Sequence, residues 1–155
     1  MKSNKSAFTM IELVFVIVIL GILASVAIPR LAATRNDALI TKGRANVLAI
    51  RSGIITERQG RMFRGDNDYI NKLDGQSATP GAGDKIFDNN GTATNRIMQS
   101  GVTTKTGSGG WLKTAANTYT FTVGTSVYTF TYTSGTGTFT CTGATGSGNC
   151  TDLVN

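Results

Sequence analysis

The chain contains no histidine. That removes the commonest general base and the commonest metal ligand. Its only cysteines are Cys141 and Cys150. A zinc-type site asks for about four ligands, and no His or further Cys is there to complete one. Acidic residues are scarce, 9 against 15 Lys and Arg, for a formal net charge of +6. From Arg30 to Arg64 only Asp37 and Glu57 oppose the basic residues. No Ser or Cys has a plausible base beside it, and there is no phosphate-binding loop. No residue set therefore supports catalysis, and the sequence predicts a non-enzyme without metal or cofactor.

What is present is unevenly spread. At 155 residues there is room for one domain plus an anchor. Apolar residues crowd the first third, and the last third is rich in Thr and Gly. Met1 to Ala7, MKSNKSA, is short, with two lysines and no acid. Phe8 to Leu31 is almost unbroken hydrocarbon. As a helix it reaches roughly 36 Å at 1.5 Å per residue, enough for a bilayer core of about 30 Å. The run exceeds a secretory h-region, and no small-x-small cleavage site follows it. Lys2 and Lys5 favour a cytoplasmic N-terminus, while Arg30 and Arg35 flank the other side.

Three residues inside the run need explaining. Gly21 marks either a close helix–helix approach or a glycine tolerated in lipid. Pro29 either kinks the helix or marks the end of the membrane segment. Glu12 is an ionisable group where hydrocarbon should exclude one, a functional hypothesis by default. It also stands three residues after Thr9, the S/T-x-x-E spacing of a capping box. Periodicity leaves both readings of Glu12 open, cap and partner-seeking charge.

Ala7-Phe8-Thr9-Met10-Ile11-Glu12, followed by a hydrophobic run with Gly21 and Pro29, closely resembles the N-terminus of type IV prepilins and type II secretion pseudopilins. The resemblance covers about the first 35 residues. It implies that a membrane prepilin peptidase cuts between Ala7 and Phe8 and methylates the new N-terminal Phe8. Ala7 departs from the family's usual glycine before the cut. The resemblance also implies that Glu12, fifth in the mature chain, neutralises the methylated amine of Phe8 in an assembled filament. An unpaired buried charge costs several kcal/mol, so such a pair would set register.

Asn36 to Arg58 has no proline and reads as a continuation of the helix. Ile40, Val47, Leu48, Ile54 and Ile55 fall within a third of its circumference and are expected to carry a sheet. Arg44 and Arg51 project to the same arc, and Gly43 and Gly53 weaken the helix. The helix should end between Gly60 and Gly65. Asp66 to Gly110 is too long for a bare loop, and Asp68–Leu73 and Thr94–Ser100 are candidate helical turns. Asp66, Asp68 and Asp74 suggest calcium at first sight, but Ile70 occupies a ligand position and no downstream Glu follows. Asn90-Gly91-Thr92 is a glycosylation sequon.

From Trp111 the period becomes two. Tyr119, Phe121 and Val123, then Tyr128, Phe130 and Tyr132, then Phe139 and Cys141 alternate with threonines. Three strands with hairpin-length turns follow, an antiparallel meander with an aromatic core face and a threonine solvent face. Cys141 and Cys150 read best as a disulfide closing a short loop.

The expected fold is α+β: a long N-terminal helix, membrane-spanning in its first half, on a small antiparallel sheet, pilin-like. Its expected segments are a leader (1–7), a membrane and filament-core helix (8–31), an amphipathic continuation (32–64), a variable connection (65–110) and the meander with its disulfide loop (111–155). The resemblance implies a structural filament subunit, a homo-oligomer processed by prepilin peptidase. Minor pilins and inner-membrane assembly machinery would be its further partners. It would be single-pass in the inner membrane, N-terminus cytoplasmic and C-terminal domain periplasmic. The competing class is a signal-anchored periplasmic binding module whose basic helix contacts DNA or anionic lipid.

Overall fold

The computed structural model describes residues 8–75, 81–88 and 97–154. Contacts divide the chain after Asp37. Helix α1 runs from Met10 to Phe63, with Pro29 inside it. Pro29 therefore does not end the helix, although its missing N–H leaves the carbonyl of Ser25 without its usual donor. In the first unit every described side chain from Phe8 to Asp37 is exposed. This includes Ile11 at 77% and Leu31 at 70%. An 18-residue window of α1 is apolar enough to cross a membrane. In a single chain nothing covers this hydrocarbon, so lipid or other chains must.

In the second unit α1 carries the sheet. Strands β3 (Trp111–Ala115), β4 (Thr118–Val123), β5 (Ser126–Thr133) and β6 (Thr138–Ala144) pair antiparallel in sequence order. Tyr119 lies opposite Phe130, and Tyr132 opposite Phe139. Their rings are buried while the intervening threonines reach the surface. The aromatic face predicted from the period of two is the core. There are four strands rather than three. The extra one, β3, is broken by a register shift between Lys113 and Ala115 and carries a lysine on its inward side, which hides its alternation.

The buried stripe of α1 differs from the one its period suggests. Gly43, Val47, Ile50 and Ile54 are buried, whereas Leu48 and Ile55 are 64% and 57% exposed. Gly43 and Gly53 are contact points. A Cβ on Gly43 would lie 2.6 Å from Phe121 and 2.8 Å from Leu153, and one on Gly53 only 2.1 Å from the carbonyl oxygen of Ile97. Lost helix propensity is thus exchanged for close packing. Arg44 and Arg51 each donate the Nε–H to a backbone carbonyl, of Asp152 (2.5 Å) and Phe139 (3.0 Å).

Among its described residues, the connection from Asp66 to Gly110 forms two short strands, β1 (Lys85–Ile86) and β2 (Val102–Thr103), paired antiparallel. Asp68–Leu73 is not a helical turn. It is irregular chain that buries Ile70 and Leu73, and Tyr132 Oη donates to the Ile70 carbonyl at 2.8 Å. Of Thr94–Ser100, residues 97–100 form bends. Residues 94–96 and the sequon at Asn90 lie outside the described residues. Phe87 has φ of 59°, a left-handed value unusual for a side chain of this size. Its ring is fully buried against Tyr119 (4.7 Å) and Trp111 (5.6 Å), and that packing offsets the backbone cost.

Candidate functional site

The start of α1 is built by three residues. Thr9 precedes the helix, and its carbonyl accepts the first helical bond from the N–H of Leu13 (3.3 Å). Glu12 reaches back, and its Oε2 accepts from the Thr9 N–H (2.9 Å) and from the Thr9 hydroxyl (2.6 Å). The Glu12 N–H donates to Thr9 Oγ1 at 3.4 Å. This is a reciprocal capping box, with donors satisfied on both sides. A carboxylate in the first turn also suits the positive end of the helix dipole. Glu12 is therefore a cap within the single chain. Both bonds into its carboxylate go to Oε2, and no donor among the described residues reaches Oε1.

Phe8 lies just outside the helix and is 79% exposed. Ala7, the other side of the expected cleavage junction, and the lysines Lys2 and Lys5 lie outside the described residues. Gly21 has open space around it, since an added Cβ would meet nothing within 4 Å. It makes no close approach among the described residues.

Cys141 and Cys150 form a disulfide with their Cα atoms 5.7 Å apart. Beyond it, α2 (Thr151–Val154) inserts the buried Leu153 beside Gly43. The Asp152 carboxylate accepts from Tyr128 Oη (2.9 Å) and from the Asn149 N–H (2.7 Å). Burial first, then that bond, pushes the Tyr128 phenol up to about 12. The bridge thus closes a C-terminal clasp from the end of the sheet back to the helix.

One cluster escaped the sequence reading. Lys113 Nζ donates to Asp74 Oδ1 at 2.6 Å, and Tyr119 Oη donates to Asp74 Oδ2 at 2.6 Å, all three buried. Burial, reinforced by the Asp74 charge, raises the Tyr119 phenol far above its ordinary value. Asp74 is therefore an internal ion-pair partner, in place of the calcium ligand it first suggests. The available signal was Lys113 itself, which shares strand parity with Trp111 and so had to point inward and find a carboxylate.

Residues 2–28 match the family model for the prokaryotic N-terminal methylation motif. The matched segment takes in the junction, Phe8, the Thr9–Glu12 cap and Gly21. This motif is the signature of prepilin-type proteins, the class of type IV pilins and pseudopilins, and that class is structural rather than enzymatic. The chain carries the signature on a pilin-like α+β architecture with a single N-terminal membrane anchor. No curated protein and no solved structure matches the chain.

Proposed function

We propose that the protein is the structural subunit of a type IV pilus-like or type II secretion pseudopilus filament. Prepilin peptidase removes Met1–Ala7 and methylates Phe8. The subunit then waits in the inner membrane, its C-terminal domain periplasmic, and is assembled with further copies, minor pilins and the inner-membrane machinery. The observation that carries this reading is the methylation motif at residues 2–28, set on a helix whose apolar half is wholly exposed.

Cleavage creates an amine at Phe8, four residues from Glu12. In a filament core, away from water, that positive charge needs a carboxylate. The Glu12 carboxylate can hold its own cap through Oε2 and offer Oε1 to the amine of a neighbour. Capping and assembly then act together: the cap fixes the direction of the side chain, and the pairing sets subunit register. The test is Glu12→Ala in cells that assemble the wild type. The expected outcome is a processed, membrane-inserted subunit missing from the sheared filament fraction. A variant that is cut, inserted and assembled at the wild-type level removes the pairing from the account.

A further inference from the structure

The Ala38–Phe63 part of α1 bears a second row, outside the core. Ala45, Leu48, Ser52, Ile55, Gln59 and Met62 follow one another at alternating spacings of three and four. At about 100° per residue they form one stripe, roughly 140° around the helix from the buried Gly43, Val47, Ile50 and Ile54. Leu48, Ile55 and Met62 are 64%, 57% and 52% exposed, at strict intervals of seven. Small or neutral residues fill the alternate positions, and the stripe holds no charge. A solvated helix face would carry charged residues here. An apolar row every seven residues beside a second, smaller row is instead the seam of a two-stranded coiled coil.

The flanks are asymmetric. On one side stand Arg44, Arg51 and Arg58, also seven apart, bonded to the Asp152 carbonyl, the Phe139 carbonyl and Tyr69 Oη of their own chain. On the other side stand Ala49, Thr56 and Phe63, without charge, and Lys42 seven residues before Ala49. An antiparallel partner would set arginine edge against arginine edge. A parallel partner sets Arg44, Arg51 and Arg58 against the uncharged Ala49, Thr56 and Phe63. Two copies held in one membrane by the same N-terminal run also leave it in the same direction.

We propose that this stripe is a contact surface for the same stripe of a second copy, and that the membrane-anchored subunit forms a parallel dimer through the soluble half of α1 before any filament is built. The proposal rests on the anchoring part of the functional reading and not on filament assembly. Leu48, Ile55 and Met62 each meet their own counterparts, and Ala45 and Ser52 let the backbones approach.

The test uses the full chain reconstituted in lipid vesicles with no other protein present, carrying single Leu48→Cys, Ile55→Cys or, as an exposed control off the stripe, Lys42→Cys. Under mild oxidation the two stripe variants should each yield on the order of tenfold more disulfide-linked dimer than the control, because juxtaposed thiols have a high effective concentration. Adding Ile55→Glu to Leu48→Cys should return the yield to the control level. Cross-linking at only one of positions 48 and 55 overturns the parallel arrangement, since an antiparallel pair brings at most one position opposite itself. Cross-linking no better than Lys42→Cys overturns the dimer altogether. Neither failure touches the filament reading, which is judged separately on the processed wild-type protein.

Discussion

Gly53→Ala sets helix propensity directly against packing. Gly53 sits inside α1, and glycine in a helix interior is less favourable than alanine by about 1 kcal/mol. Propensity alone therefore predicts a stabilised protein. The structure predicts the reverse. The new Cβ would lie 2.1 Å from the carbonyl oxygen of Ile97 and 2.9 Å from its side chain. A backbone carbonyl cannot rotate away as a side chain does, so the Ile97 segment must shift by about an ångström. Overpacking of this kind costs about 1–3 kcal/mol, and a backbone clash belongs at the upper end. The net expectation is destabilisation of about 2 kcal/mol, or about 4–8 °C in Tm for a chain of this size. Gly60→Ala is the internal control. It lies in the same helix, but its Cβ would meet only the flexible Arg64 guanidinium at 3.6 Å. It should gain about 0.5–1 kcal/mol. Thermal melts of the full chain in detergent, followed by Trp111 fluorescence, decide the matter. Gly53→Ala melting at or above the wild type would refute the packing argument.

The buried ion pair offers a second test. Lys113→Met should destabilise by about 3–5 kcal/mol, since it removes one partner of a buried pair, and the double variant Lys113→Met/Asp74→Leu should recover part of the loss. Urea melts that place the double variant below the single one would contradict this. The buried tyrosines predict an alkaline limit. Tyr128 and Tyr132 are pushed up to about 12, both chiefly by burial, and Tyr119 is raised further. The folded state keeps protons that the unfolded chain gives up near the ordinary value of 10.0, so stability is full below pH 10 and falls as pH rises from 10 to 12. Tyr128→Phe should flatten that fall. Unchanged urea midpoints across the window would show that the phenols are not held as described.

The parts legible in the sequence were those fixed by local spacing. Thr9 and Glu12 are three apart, and the capping box needs nothing else. The alternation of Tyr119, Phe121 and Val123 and of Tyr128, Phe130 and Tyr132 named the core face because a strand allows only two faces. The helix stripe was misassigned because α1 carries two apolar rows, and a single-stripe reading merged Leu48 and Ile55 with the core while passing over Ile50. Gly43 and Gly53 looked like weaknesses because a close approach is a property of what lies opposite, here Phe121, Leu153 and Ile97. The pairing of Lys85 with Thr103, and of Lys113 with Asp74, joins segments separated by a long connection, and no local period announces such contacts.

A filament subunit of this class depends on a covalent change at one junction, and intact and peptide mass spectrometry of the protein taken from membranes reads it directly. The predicted result is a chain that has lost Met1–Ala7 and bears one added methyl group on the amine of Phe8. A full-length, unmethylated N-terminus would contradict the account. It would make the chain a permanently anchored periplasmic module, with Glu12 serving only as the cap of its own helix.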